Sequence, residues 1–377
     1  MAQMLEWLTE IIGRGTDRNV GTGMWQLTSA ARISHNIYCE ERYTSADGKR
    51  LAFLRSPLGS GQEELWVCDL PTDAVARLCD RVSGLAMSNI HSDNLYFIRP
   101  GEGNARMLMR VNMRTLEMDE VFDLTPCPRF RWPVGTVSPD DRYFVSNCRL
   151  SDDVFGLYRA DLQRGTWEIF HERKDIFNPH PQFEPVTGKD ILIQHNRGGI
   201  TDARDNIVKP AGPEGVTLYV IDRDGGNLRE LPVGPPHTHN VTGHECWVGD
   251  TGEVLLTTND RAIYLARPGA EKPVCLWRGF NFSHISVSQD GRYFVVDDLT
   301  NGRLYVGNIA NRRMLPLCDT GASCGYPQYT HPHAYLMPGN RHIIFNSDAT
   351  GIAQVWAADV PPEFLRALEE PAVVPYP

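Results

Sequence analysis

The sequence predicts an all-β chain folded as a seven-bladed β-propeller, its ring closed by an N-terminal strand that joins the last blade. Three observations predict it. A strand–turn–strand unit recurs seven times along the 377 residues. Its period is roughly 40 to 50 residues, the repeat length expected of propeller blades. The seventh copy lacks a final strand, which a segment near the N-terminus can supply.

The copies share one chemistry. TSADGKRLAFLR at 44–55 is followed by LWVCDL at 65–70, and GTVSPDDRYFVSN at 135–147 by LYRADL at 157–162. ISVSQDGRYFVVD at 285–297 is followed by LYVGNI, and AYLMPGNRHIIFNSD at 334–348 by QVWAADV. Asp-Gly and similar pairs supply the positive-φ turn of a hairpin. The flanking β-branched and aromatic residues favour strands. Four antiparallel strands make a blade, and blades set around an axis cover each other's faces. A longer spacing between the fourth and fifth copies marks an insertion around Gly198 to Gly215.

Six copies end in a further strand, such as TWEIFHE at 166–172 or RMLPLCD at 313–319. After Val360 the chain instead runs through Pro361 and Pro362 into a helix-like EFLRALEE. MWQLTS at 24–29 is the candidate for the missing strand. No linker or charge block divides the chain. A single domain is therefore expected over 1–377: a short amphipathic helix at about 3–12, the closing strand at about 24–29, blades over about 35–360 and a tail at 361–377.

Bulk properties exclude several classes. A net charge of −10 argues against nucleic-acid binding. It also means that an anionic substrate would need a locally positive pocket. No apolar run has membrane-spanning length. The apolar N-terminal residues are interrupted by Glu6 and Glu10, which fits an amphipathic helix rather than a signal peptide. The nine cysteines are scattered, odd in number and never two residues apart. Free thiols in a reducing compartment are expected, and with them a cytoplasmic protein. No Gly-x-Ser-x-Gly elbow and no phosphate-cradling loop is present.

The histidines fall in register with the repeat. His35, His180, His244 and His284 each lie at or just before the first strand of a blade, and His331 and His333 do so for the seventh. That position is one rim of a propeller channel, so residues of five blades should converge there. His331-Pro332-His333 is the densest cluster. Alternate residues of an extended strand point one way, and Pro332 restricts the backbone, so the pair reads as a two-imidazole clamp. Gln328 can add an amide oxygen and His284 a third imidazole. Such a set suits a first-row divalent metal. The alternative is a turn whose histidines bond backbone carbonyls. His91, His171 and His342 read as surface or core residues; His237 and His239 either line the rim or sit in a solvated loop, and the loop composition favours the second. Arg129 and Arg131 precede the third blade and could add positive charge to the rim. Trp132 could stack on a sugar or pack in the core.

These residues resemble a known family. Gln-x-x-His-Pro-His at 328–333 looks like the metal-binding segment of the oligogalacturonate lyases, seven-bladed propellers that use manganese. NFSHISVSQDG at 281–291 is similar to the segment bearing a further metal ligand, here His284. TGHECWVGDTG at 242–252 is similar to the segment bearing the catalytic base, here His244. Residues 25–53, with His35, resemble the opening segment, and the likeness extends over nearly the whole chain. It implies a manganese-dependent lyase that cleaves short uronate oligosaccharides. The metal ligands would be His284, Gln328, His331 and His333; at the same rim, His35, His180, Arg129 and Arg131 are the candidates, from their position, to meet substrate. The family also carries an arginine thought to meet the substrate's charge. Here that region is lengthened, and either Arg197 or Arg204 could correspond.

The implied reaction is β-elimination. A base removes the proton beside the carboxylate, and the glycosidic oxygen leaves from the next carbon. A metal or guanidinium disperses the developing charge, and neutral imidazole has a suitable basicity for the proton transfer. His244 could instead be a structural histidine. Two other readings compete: a non-catalytic propeller that binds a partner, and an enzyme of the same fold acting on a different sugar acid. Fold alone does not separate them.

Overall fold

A computed structural model describes residues 5–10, 13–17, 19–56 and 61–371. The chain is all-β with a propeller-like architecture. Its sheets are antiparallel meanders in chain order. Four sheets have four strands each, beginning at Gly135–Val137, Gln182–Phe183, Val241–Trp247 and Phe282–Val287. The first two repeats are not separate sheets. They share the 16-residue strand Ala74–Asn89. Its first half pairs with Glu63–Asp69 and its second half with Asn94–Pro100.

The hairpin turns reuse one side-chain network. Ser45 Oγ donates to Asp47 at 2.7 Å and accepts from the Arg50 amide at 3.1 Å. Ser138, Asp140 and Tyr143 repeat this at 2.5 and 2.8 Å, and Ser288, Asp290 and Tyr293 at 2.6 and 2.9 Å. Ser and Asp side chains thus stand in for backbone partners through each turn. Gly291, at φ +69°, abuts the turn of the preceding sheet. A Cβ there would lie 3.1 Å from the Gly249 amide nitrogen, so the close approach requires glycine.

The core lies between successive sheets. Leu192, Leu218 and Val220 pack on Val241, Trp247 and Leu256 of the next sheet. Tyr293, Val295 and Leu304 pack likewise on Leu336, Ile343 and Phe345. Tyr335, Ile344 and Val355 of the final sheet join the cluster of Leu51, Phe53 and Leu65 from the first. Each such aliphatic or aromatic side chain contributes roughly 1.5–3 kcal/mol on burial.

The two ends of the chain share a sheet. Gly23–Gln26 pairs antiparallel with Gln354–Asp359, Trp25 facing Ala357. The tail forms a helix over Pro362–Glu369, with Leu368 buried. The N-terminal helix expected at about 3–12 is replaced, in its described part, by the strand Trp7–Thr9. It adds to the edge of Ala74–Asn89. The open edge of a long strand offers partners to backbone groups that a short isolated helix leaves unpaired at its ends, and Trp and Thr favour strand. The remaining residues of that expectation, 3, 4, 11 and 12, lie outside the described residues.

All nine cysteines are free thiols, and all but Cys275 and Cys324 are buried. No helix among the described residues is long and apolar enough to cross a membrane.

Candidate functional site

The inserted segment lies within the fourth repeat, between Asp190–Asn196 and Val216–Asp222, and forms its own hairpin, Ile200–Thr201 with Ile207–Lys209. It borders a cavity of about 890 Å³. His35, His180, His244, His333 and Gln328, drawn from widely separated parts of the chain, line that cavity. The register read from the repeat therefore places these side chains at one opening.

Three imidazoles cluster around His333, the one of them that lines the cavity. One ring nitrogen from each of His284, His331 and His333 lies within 4.8 Å of those of the other two. The His284 and His333 rings are 3.8 Å apart between centroids, and His331 and His333 are stacked at 5.8 Å. The backbone differs from the expected extended clamp. His331 follows the 3-10 turn Gln328–Thr330, and His333 sits in the left-handed region at φ 44°. Asn36 holds that conformation: its side chain donates to the His333 carbonyl at 2.7 Å, while its own amide donates to Asn346 at 2.8 Å. Ile37, at φ 70°, and His180, at φ 41°, are left-handed as well. Such backbone is rare for a β-branched residue and concentrates at functional sites.

The outer nitrogens of His284 and His331 are spoken for. His284 Nδ1 bonds Asp297, wholly buried, at 2.6 Å, and His331 Nε2 bonds the Gly325 carbonyl at 2.6 Å. What remains is His284 Nε2, His331 Nδ1 and His333 Nε2. The last two are buried without a hydrogen-bond partner. Burial, then the neighbouring imidazoles, push His333 well below the usual histidine pKa, and His331 is lowered for the same reasons. Converging imidazole nitrogens, with His284 braced from behind by a carboxylate and His331 by a carbonyl, are a chemically apt donor set for a divalent metal. Gln328 lines the cavity from the turn that precedes His331.

His244 stands beside this group, its ring 4.3 Å from His284. The Tyr38 hydroxyl bonds its Nδ1 at 3.0 Å. Burial and the nearby His284, His180 and His331 hold its pKa well below the ordinary value, so the ring is neutral. Tyr38 is the hub of the cavity floor: its ring lies 5.0 to 5.8 Å from those of His333, His244 and His180. Burial opposes charging His180, but the charge of Glu40, hydrogen-bonded at 2.7 Å, overcomes it and lifts the pKa to about 9. Glu245, buried behind this pair, is raised to about 8 by burial and by Glu40. His35 bonds Glu63 at 2.7 Å.

The predicted arginines lie elsewhere. Arg197 turns its guanidinium onto the carbonyls of Gly215, Glu214 and Pro235, where it ties down the inserted segment. Arg204 is exposed. Neither lines the histidine cavity. Unpaired carbonyls of a lengthened loop compete for a nearby guanidinium, and here they win it. Arg129 and Arg131 line a separate cavity of about 320 Å³ together with Arg106; it shares Phe130 with the histidine cavity. Arg129 bonds Asn104, and Arg131 bonds Asn206 of the inserted hairpin. Trp132 is 55% exposed and lines the histidine cavity, not the core. His237 and His239 are exposed, and His171 bonds the Tyr219 hydroxyl at 2.8 Å.

Tyr38, Asp297 and Glu40 are missing from the sequence-derived set. Asp297 had a signal: a carboxylate ending an otherwise apolar strand, YFVV, must be buried with a partner.

No protein-family model matches the chain. The oligogalacturonate lyase of Dickeya dadantii (strain 3937) is 23% identical over 401 aligned residues, which cover 92% of this chain and 95% of that protein. The oligogalacturonide lyase of Pectobacterium atrosepticum is 23% identical over 394, with the same coverage. Among solved structures, an oligogalacturonate lyase in complex with manganese superposes with a TM-score of 0.75 and 22% identity, covering 97% of this chain and 100% of that one. An oligogalacturonate lyase from Vibrio parahaemolyticus gives 0.75 at 20% identity, covering 96% and 100%. Over nine-tenths of its length this chain is therefore similar to oligogalacturonate lyases, and it has their fold.

Proposed function

We propose that the chain is a metal-dependent lyase that cleaves short uronate oligosaccharides by β-elimination, built on a seven-bladed propeller whose ring is closed by Gly23–Gln26. The observation that carries this is a trio of imidazole nitrogens within 4.8 Å of one another, two of them buried without a hydrogen-bond partner, beside a further buried imidazole. The similar lyases, one of them a manganese complex, supply the substrate class and the ion. The free thiols fit a cytoplasmic setting.

His284, His331 and His333, with Gln328, would hold the ion, manganese in this reading. A divalent cation there supplies Lewis-acid stabilisation of negative charge gathering on the substrate carboxylate. His244 is the base. With its Nδ1–H donated to the Tyr38 oxygen, Nε2 carries the lone pair and takes the proton from the carbon beside the carboxylate. The electrons of that C–H bond become the new C=C bond, and the glycosidic oxygen departs with its bonding pair and is then protonated. Tyr38 fixes the tautomer, and Asp297 fixes the orientation of His284.

The test is direct. Purified protein incubated with manganese and digalacturonate should develop the ultraviolet absorbance of an unsaturated uronate, with roughly one ion bound per chain. Failure with every uronate disaccharide tried would refute the lyase reading.

A further inference from the structure

The cavity lined by Arg106, Arg129 and Arg131 has no part in the chemistry described so far. It holds about 320 Å³ and adjoins the histidine cavity through Phe130, which lines both. No lysine or arginine is among the described residues lining the histidine cavity itself, but positive charge begins at its wall. Trp132 lines that cavity, and the Arg131 guanidinium lies 4.9 Å from its ring centroid. The inserted hairpin runs along the same boundary. Asp205 lines the arginine cavity and Ile207 the histidine cavity, and Asn206 between them accepts from Arg131 at 2.6 Å.

The three guanidiniums direct their hydrogen bonds to neutral oxygens. Arg106 donates to the Leu124 and Cys127 carbonyls at 2.8 and 2.6 Å, and its buried Nε has no partner. Arg129 donates to Asn104, and Arg131 to Asn206. Asp205, the lining carboxylate, is held by Arg149 at 2.7 Å and by the Arg131 amide at 3.1 Å. Burial lowers the Arg106 pKa and the neighbouring Arg129 charge adds to this, while Asp123, outside the lining, opposes it. Like charges gathered around an open cavity repel, and an anion placed there relieves them.

Each unit of an oligogalacturonate carries a carboxylate. The chemistry above places the reacting unit's carboxylate at the three-imidazole cluster. The carboxylate of the neighbouring unit needs a second counter-charge, because an anion taken from water without one is costly. In a chain of net charge −10 that counter-charge has to be local.

We propose that the arginine cavity is the subsite for the neighbouring uronate, with Arg131 and Arg129 bound to its carboxylate and Trp132 against its ring. This rests on the lyase reading above and deepens it by assigning the second charge of the substrate. The planar forks of the guanidiniums match a carboxylate. Trp132, 55% exposed, gives the sugar an apolar contact between the two charges.

Two disaccharides test it with the manganese-loaded protein: digalacturonate, and digalacturonate methyl-esterified only on the unit that does not react. The wild type should favour digalacturonate by about tenfold or more in kcat/KM. The Arg129→Ala/Arg131→Ala double variant should lose that preference, with its loss of digalacturonate turnover residing in KM. Arg204→Ala, at an exposed arginine of the same hairpin that lines neither cavity, should keep the wild-type KM. Calorimetric binding to the manganese-loaded His244→Gln variant should show the same preference without turnover, and added salt should weaken it. The substrate comparison needs only the wild type, so it decides even if the double variant fails to fold. Equal use of the two disaccharides by the wild type, or an unchanged KM in the folded double variant, overturns the inference and leaves the lyase reading standing. So does an equal loss in Arg204→Ala, which would trace the effect to overall surface charge. Silence of the wild type with both compounds removes the lyase reading itself, and this inference with it.

Discussion

Among the described residues two groups of buried or half-buried imidazoles stand out, and they are put to different use. One is the cavity group of His244, His284, His331 and His333. The other lies where the third and fourth repeats meet, with His171 and His195 flanking Tyr219 at 5.6 and 5.9 Å between rings. In both groups burial lowers imidazole basicity, in the first at His244, His331 and His333. Burial, then Arg173, lowers His171 and His195 to about 4. Depressed basicity therefore does not tell them apart. The bookkeeping of lone pairs does. In the outer pair, His171 spends its Nε2 on the Tyr219 hydroxyl, and Arg173 lies over the Tyr219 ring at 5.1 Å. A cation beside the pair repels a metal. In the cavity group the outward nitrogens are braced by Asp297 and a carbonyl, and the inward ones meet with no partner. A site is marked by donors that converge unsatisfied, because a folded protein rarely leaves buried polar atoms unpaired without a use for them.

That contrast can be broken at several points. The largest effect is expected at His244: His244→Ala should lower turnover about a hundredfold or more, whereas His171→Asn should leave turnover of the folded enzyme unchanged. Initial rates from product absorbance decide between them. Full activity in His244→Ala would remove the proposed base. Next comes metal retention. Asp297→Asn takes the charged brace from His284 and should weaken manganese affinity roughly 10- to 100-fold. Tyr219→Phe, the corresponding change behind the outer pair, should leave it untouched. Elemental analysis and metal titration report both, and equal metal content in the two variants would erase the distinction. A smaller effect is expected for Tyr38→Phe. It removes one hydrogen bond worth about 1 kcal/mol, roughly fivefold in kcat. KM should stay nearly constant, because the lost contact is to the base.

The mildest test uses pH and stability. His171 and His195 have folded pKa values of about 4, below the ordinary 6.5, so the unfolded chain binds more protons between those values. Their contribution to stability is whole above about pH 6.5 and is lost as the pH falls towards 4. Denaturant midpoints should drop across that window. His195→Gln should flatten the drop while leaving metal binding intact. A midpoint that rises on acidification would contradict the assignment.

Much of this was legible in the residues. The Ser-x-Asp turns, the Asp-Gly hairpins and the runs such as YFVVD are local signals, and they place strands and turns wherever they occur. The register of His35, His180, His244, His284, His331 and His333 within the repeat carried the cavity with it, because equivalent positions in a repeat fold meet at equivalent places. The tertiary structure decided the rest. It turned the residues around Trp7 into a strand, because an open strand edge lay within reach. It turned Arg197 away from the cavity, because loop carbonyls claimed it. It chose which nitrogen each imidazole keeps free, through partners such as Tyr38, which is 206 residues from His244. Periodicity and turn chemistry depend on neighbours in the chain. The allocation of a lone pair or a guanidinium depends on whichever group the folded chain brings within about 3 Å, and no local pattern in the sequence encodes that group.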